Sequence, residues 1–177
     1  MGKRLNFWPL AGFLTVSVLG TLAHFAYEWS GKQLLAGAFC AVNESTWEHM
    51  KLLFFPALLF TMIQIAAAQE RDGAIPAVRA VSITAGLLLI PVLYYTYTGI
   101  LGRHVLWVDI AIFYQAAALT FRLDRRLRRR RRLWEPWQQA AGLLWLWGLA
   151  FLFVWWTFRP PHIGLFLDPA TGEYGIA

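Results

Sequence analysis

Acidic, amide and imidazole side chains gather at the ends of otherwise apolar segments: His24 with Glu28, then Asn43, Glu44, Glu48 and His49, then His162 with Asp168. Ionisable groups at membrane depth are costly unless they pair, bind an ion or line a wet cavity, so these positions are where chemistry is to be sought. Imidazole and carboxylate together can hold a metal or move protons. His24, His49 and His162 come from separate segments, and three protein ligands plus a water is the usual catalytic zinc arrangement. Glu28 would orient or join those ligands, and Glu44 or Glu48 would be the base as a metal-bound water attacks an ester or amide. Without a metal, a His-Glu dyad could shuttle protons on a lipid or isoprenoid substrate. The compact His-Glu-x-x-His zinc motif is absent.

Each group also has a plainer reading. His24 and Glu28 are four apart and share a helix face, so they could be an internal hydrogen-bonded pair, or Glu28 could simply reach water. Glu48 could do no more than cap a helix, and Glu44 could merely favour the positive helix end. Lys51 sits deeper and could pair with either glutamate or snorkel outwards. Ser45 and Thr46 are conceivable nucleophiles, but Ser45 is better placed as a cap. Asp109 should face inward and find a donor such as Tyr95, Tyr97 or an amide, as a structural lock or as part of a site. His104, beside Arg103, reads as a wet boundary residue. Asn43, Tyr97, Asp109 and Asp168 are taken as ligand-binding positions. The segment 159–177 begins with Pro160-Pro161. Its apolar stretch 163–167 could fold back and place His162 and Asp168 over the site as a lid, or the whole could be an interfacial loop.

The elements that position these groups follow from composition. The chain has 177 residues, 58% of them hydrophobic, with 10 Trp and 13 Phe, which exceeds what a soluble domain carries. A membrane span takes roughly 20 residues, and the apolar segments nearly fill the sequence. The expected fold is therefore an all-α integral membrane protein, one domain over 1–177, with five spans at about 7–28, 45–68, 77–98, 104–121 and 135–158. The segment 31–42 is too short to cross and reads as a re-entrant or interfacial helix. Ser45, with Glu48 three residues on, is a capping-box pattern opening the second span. Pro9 and Pro136 suit first helical turns. Pro91 should bend the third span, and Arg79 in its first turn should snorkel to the boundary. Residues 69–76 form a polar turn, and Gly99 and Gly102 a tight one.

The net charge of +6 comes mainly from the arginines of 122–132. Beside a span these read as cytoplasmic anchors facing anionic lipid rather than as a nucleic-acid surface, and nucleic acid is not an expected partner. Five crossings starting inside leave the amino terminus cytoplasmic and the carboxyl-terminal tail outside. Trp29, Trp47, Trp107, Trp155 and Trp156 then form an outer aromatic belt, and Trp134 and Trp137 an inner one. Cys40 is the single cysteine, which excludes an intrachain disulfide and dithiol redox chemistry.

The groups His24-x-x-x-Glu28-Trp29-Ser30-Gly31, Asn43-Glu44-Ser45-x-Trp47-Glu48-His49-x-Lys51 and Pro161-His162-Ile163-x-Leu165-Phe166-x-Asp168-Pro169-x-Thr171-Gly172-x-Tyr174-Gly175 resemble a family of small bacterial membrane proteins, domain of unknown function family 6512. The resemblance covers nearly the whole chain and implies a bacterial cytoplasmic membrane, with no activity or cofactor attached. His24-x-x-x-Glu28 is also similar to one element of the emopamil-binding and sterol-isomerase superfamily, which implies a pocket for a lipophilic ligand. The expected function is a membrane-embedded, metal-assisted hydrolase acting on a lipid-like substrate at the outer leaflet, with zinc the first candidate metal. The alternative is a non-catalytic subunit that binds or transports a lipophilic molecule or serves a partner protein, its polar cluster being structural.

Overall fold

A computed structural model describes residues 2–67, 74–130 and 135–176, with side chains from residue 7 onward and excepting Arg130. The side chains of Lys3 and Arg4, most of the expected 69–76 turn, and residues 131–134 with Trp134 lie outside the described residues.

The fold is all-helical. α1 (Gly2–Trp29), α3 (Thr46–Ala67), α4 (Ile75–Leu101), α5 (Leu106–Arg130) and α6 (Pro136–Phe158) are each long and apolar enough to cross a membrane, and the six-residue α2 (Leu34–Phe39) is not. These are the five expected spans, lengthened at several ends. α4 runs unbroken through Pro91, and Pro9 lies within α1 rather than in its first turn, because α1 begins at Gly2. α5 continues into the arginine run as far as Arg130 instead of ending before it. Pro136 does occupy the first turn of α6, where Glu135 and Gln138 exchange a capping box. Gly102 closes α4 in the left-handed conformation at φ 68°, its N–H donating to Thr98 O, and so permits the short connection to α5.

The helices alternate in direction, giving two ends. The tail end carries α2, the α4–α5 turn and residues 159–176. The arginine end carries the close of α3, the start of α4 and the close of α5. α3 and α4 form the middle of the bundle, with 61% and 56% of their apolar windows buried, against 28% for α1, α5 and α6. Lipid tails are as apolar as leucine, so helices in a membrane associate through close packing rather than hydrophobic expulsion. Gly142 provides it here: a Cβ at that position would lie 2.7 Å from the Pro76–Ala77 backbone, so glycine sets how closely α6 approaches α4.

The aromatic belts are only partly as expected. Trp29, Trp107, Trp137 and Trp155 are exposed, but Trp47 is buried, with ring centroids 4.4 Å from Phe153, 4.8 Å from Phe166 and 5.2 Å from Trp156. Phe166 belongs to the short turn Gly164–Phe166, so this stack seats the tail on α3 and α6. Tyr95 assists by donating to Gly164 O at 2.9 Å. The tail then forms a small hairpin, with Leu167 bridged to Tyr174.

Candidate metal centre

Three elements deliver one polar side chain each to the tail end: α1 brings His24, the loop before α3 brings Glu44, and the first turn of α3 brings His49. The loop is held on both sides of Glu44. Asn43 Oδ1 accepts the Ser45 N–H at 3.0 Å, while Asn43 Nδ2 donates to Gly175 O at 2.9 Å. Ser45 Oγ accepts the Glu48 N–H, which is half of the expected capping box. Glu48 does not complete it, because its side chain turns inward and takes the Val42 N–H instead.

One ligand atom from each of His24, Glu44 and His49 lies within 4.8 Å of the others. His24 Nε2 is 3.8 Å from Glu44 Oε1, and His49 Nε2 is 3.4 Å from Glu44 Oε2. The two imidazole rings lie 5.3 Å apart. His49 Nδ1 sits 3.0 Å from Ser45 O, and a carbonyl can only accept, so Nδ1 carries a proton. In the neutral ring this leaves a lone pair on Nε2 pointing at a carboxylate oxygen. Two lone pairs facing each other are satisfied only by a proton or a metal ion between them. A backbone carbonyl that fixes the tautomer while the other nitrogen faces the ligand is the usual support of a metal-binding histidine. The side chains are 30%, 53% and 33% exposed, open enough for an ion and a water to enter from solution. Two imidazoles, one carboxylate and an open side make a donor set that suits zinc in its catalytic form. His24 Nδ1 is buried without a hydrogen-bond partner among the described residues, so only one of the two rings has its second nitrogen supported.

The other expected site residues stand outside this three-residue group. Glu28 is exposed at the end of α1, 3.7 Å from Lys32. His162 stacks on Tyr174 at 4.6 Å within the tail and stands outside the three-residue group. Asp168 is buried and shapes the hairpin: its Oδ1 accepts the Ala170 N–H, and its carbonyl accepts the Gly172 N–H. Asp109 accepts a hydrogen bond from Tyr97, whose hydroxyl also receives the Val105 N–H, so the pair latches the α4–α5 turn; His104 lies 3.4 Å away. Asn43 holds the loop rather than facing solvent.

Glu48 and Lys51 form a buried unit with Thr157 of α6. Lys51 Nζ donates to Glu48 Oε2 at 2.7 Å, to Gly37 O at 2.7 Å and to Thr157 Oγ1 at 2.8 Å, which uses all three of its protons. Thr157 in turn donates to Glu48 Oε1 at 2.9 Å. Lys51 neither snorkels nor pairs with Glu44. Arg79 does not snorkel either: it is fully buried, donates to Gln64 Oε1 at 2.8 Å, and lies 3.7 Å from the buried Asp124. The inward turn of both cations has one cause. Each cation finds a carboxylate and neutral acceptors inside the bundle: Glu48 on the same helix, with Gly37 and Thr157, for Lys51, and Asp124 of α5 with Gln64 of α3 for Arg79; sequence spacing alone does not reveal Thr157 or Gln64. The signal available was a polar residue in each apolar helix with no role of its own.

With this geometry in place, the match to a family over residues 2–176 carries weight. The chain belongs to the family of unknown function DUF6512. No curated protein and no solved structure shows a significant match to it.

Proposed function

We propose that this protein is a membrane-embedded, metal-assisted hydrolase acting on a lipid-like substrate at the outer leaflet, with its metal held by His24, Glu44 and His49. The observation that carries the reading is the approach of His49 Nε2 to Glu44 while Nδ1 is committed to Ser45 O. Zinc would supply a water acidic enough to ionise near neutral pH and a Lewis acid for an ester carbonyl. Glu48 is fully engaged with Lys51, Thr157 and Val42, so it positions the loop rather than accepting protons. With Glu44 taken as a ligand, the proton-accepting role passes to Glu28, an exposed carboxylate four residues from His24 on α1. Phe25 and Trp29, stacked beside it and exposed, offer an apolar shelf at the level where acyl chains meet headgroups. The arginines at the opposite end support a cytoplasmic location for that end, and thus an outer-leaflet location for the site.

The second reading is a non-catalytic membrane subunit that binds or transports a lipophilic molecule or serves a partner protein. The internal pairing of Glu48, Asp109 and Asp168 favours it, and a protonated His49 would then make a simple ion pair with Glu44.

Protein purified in detergent without added metal, measured by elemental analysis and by uptake of Co2+, separates the two. The hydrolase reading expects about one metal per chain, a Co2+ absorption spectrum of tetrahedral type, and loss of both in Glu44→Ala and His49→Ala. Hydrolysis of a chromogenic long-chain ester should fall by at least about a hundredfold in the same variants. Folded protein that binds neither metal abolishes the proposal and leaves the ion pair. Metal binding without any esterase activity leaves the accessory-subunit reading.

A further inference from the structure

The arginine end contains a second polar cluster, remote from the metal-type group and unused by the function proposed above. Arg79 of α4 is completely buried beside an edge-to-face pair of rings, its guanidinium carbon 5.3 Å from the Phe60 centroid and 4.8 Å from that of Phe121, the two centroids being 5.9 Å apart. Gln64 takes Nη2, while Nε and Nη1 have no hydrogen-bond partner among the described residues. Arg128 of α5 donates through Nε to both oxygens of Asp124, at 3.0 and 3.1 Å, and its buried Nη2 is likewise without a partner.

Two guanidinium cations thus share a single fully buried carboxylate, Asp124, which stands 3.7 Å from Arg79 Nε and 3.0 Å from Arg128 Nε. Among the described residues, one positive charge and three N–H-bearing nitrogens are left uncompensated. Arginine cannot discharge by losing its proton, and no described residue meets the deficit, so the pair is chemically suited to an incoming acceptor. Buried charges are tolerated when paired, and guanidinium groups pair best with carboxylate and phosphate oxygens. The Arg128 side chain is 10% exposed, which makes it the way in from the aqueous side. On the opposite face of the same helix, Arg122, Arg125, Arg126 and Arg129 line a shallow surface concavity of about 340 Å³. Their field concentrates anions at this end of the bundle.

We propose that Arg79 and Arg128 form a binding site for one phosphate-type oxyanion at the arginine end, either free phosphate or the headgroup of an anionic phospholipid. The oxyanion neutralises the charge that Asp124 leaves over and takes the three unpartnered nitrogens as donors. Its presence would tie α4 to α5 where the bundle carries most of its cationic charge.

The test uses the full chain in a maltoside detergent, which contains no phosphate, and reads the equilibrium between folded and unfolded protein. One arm adds inorganic phosphate at constant ionic strength, with chloride as the reference. The other adds phosphatidylglycerol, with diacylglycerol as the reference. Ligand at a hundred times its dissociation constant raises the folded-to-unfolded ratio about a hundredfold. A rise in the first arm identifies a free anion, and a rise in the second alone identifies a headgroup; either supports the site. Arg128→Gln leaves Arg79 and Asp124 as a neutral pair and is expected to remove the response. Arg122→Gln/Arg126→Gln, which changes only the exposed face, is expected to keep it. If Arg128→Gln does not fold, Arg128→Lys carries the comparison and should weaken the response at least about tenfold. No response in either arm, or a response that survives in the Arg128 variant and disappears in the Arg122/Arg126 one, overturns the site.

Discussion

Replacing Lys51 by Met tests whether the bundle depends on an ion pair buried among α2, α3 and α6. Lys51 and Glu48 are 0% and 3% exposed at their side chains, so neither charge can be rescued by water. Methionine fills much the same volume but removes three donated hydrogen bonds, leaving Gly37 O without its donor and Glu48 without its counter-charge. Breaking one side of a buried pair costs about 3–5 kcal/mol, most of it the penalty of the abandoned charge. Lys51→Met/Glu48→Gln removes that charge as well. Its remaining cost is the Gly37 carbonyl, about 1–3 kcal/mol for one unsatisfied buried acceptor. The double variant should therefore be more stable than the single lysine variant by about 2 kcal/mol. Equilibrium unfolding in mixed micelles, followed by tryptophan fluorescence, measures all three proteins, and Trp47 beside Phe153 gives a local reporter. A single-variant loss below about 1 kcal/mol, or a double variant no more stable than the single, refutes the argument that the pair is closed to water.

Two further outcomes are expected. Gly142→Ala forces a Cβ against the Pro76–Ala77 backbone and should destabilise by about 1–3 kcal/mol, whereas Gly148→Ala meets nothing within 4 Å and should gain up to about 1 kcal/mol in helix propensity; equal effects in the unfolding assay would refute the packing assignment. Cys40, between α2 and α3, is a thiol whose burial, chiefly, pushes its pKa above the ordinary value, with Lys51 lowering and Glu48 raising it by smaller amounts. The thiolate is then scarcer at neutral pH than in the unfolded chain, so alkylation by iodoacetamide at pH 7 should be slower than in the unfolded chain and should keep rising to a higher pH before it levels off, and a rate and pH profile equal to those of the unfolded chain would count against it.

The spans were legible because a run of about 20 apolar residues has few alternatives, and Ser45 and Pro136 announced their helix starts through local chemistry. The convergence of His24, Glu44 and His49 was legible in part: clustering at one end follows from counting crossings, but excluding His162 does not. That residue is drawn away by stacking on Tyr174, a contact made within the tail's own hairpin. The least legible features were Lys51 and Arg79. A cation near a span's end is ordinarily read as reaching for water, and only the fold shows Thr157 across from one and Asp124 across from the other. Trp47 misled for the same reason, since indole suits both a membrane boundary and an aromatic core, and Phe153 and Phe166 decide between them.

The arginines of α5 also set a length. From Leu106 to the residue before Arg122 the helix measures about 24 Å at 1.5 Å per residue, several ångströms less than a hydrocarbon layer of roughly 30 Å. Its neighbour α4, with 27 residues, measures about 40 Å. A shorter apolar stretch packed beside a longer helix is accommodated by snorkelling of the flanking arginines, by thinning of the bilayer at α5 or by a lean of α4. Acyl-chain length thereby becomes a mechanical load on the α4–α5 contact, and reconstitution into short-chain lipids relaxes it.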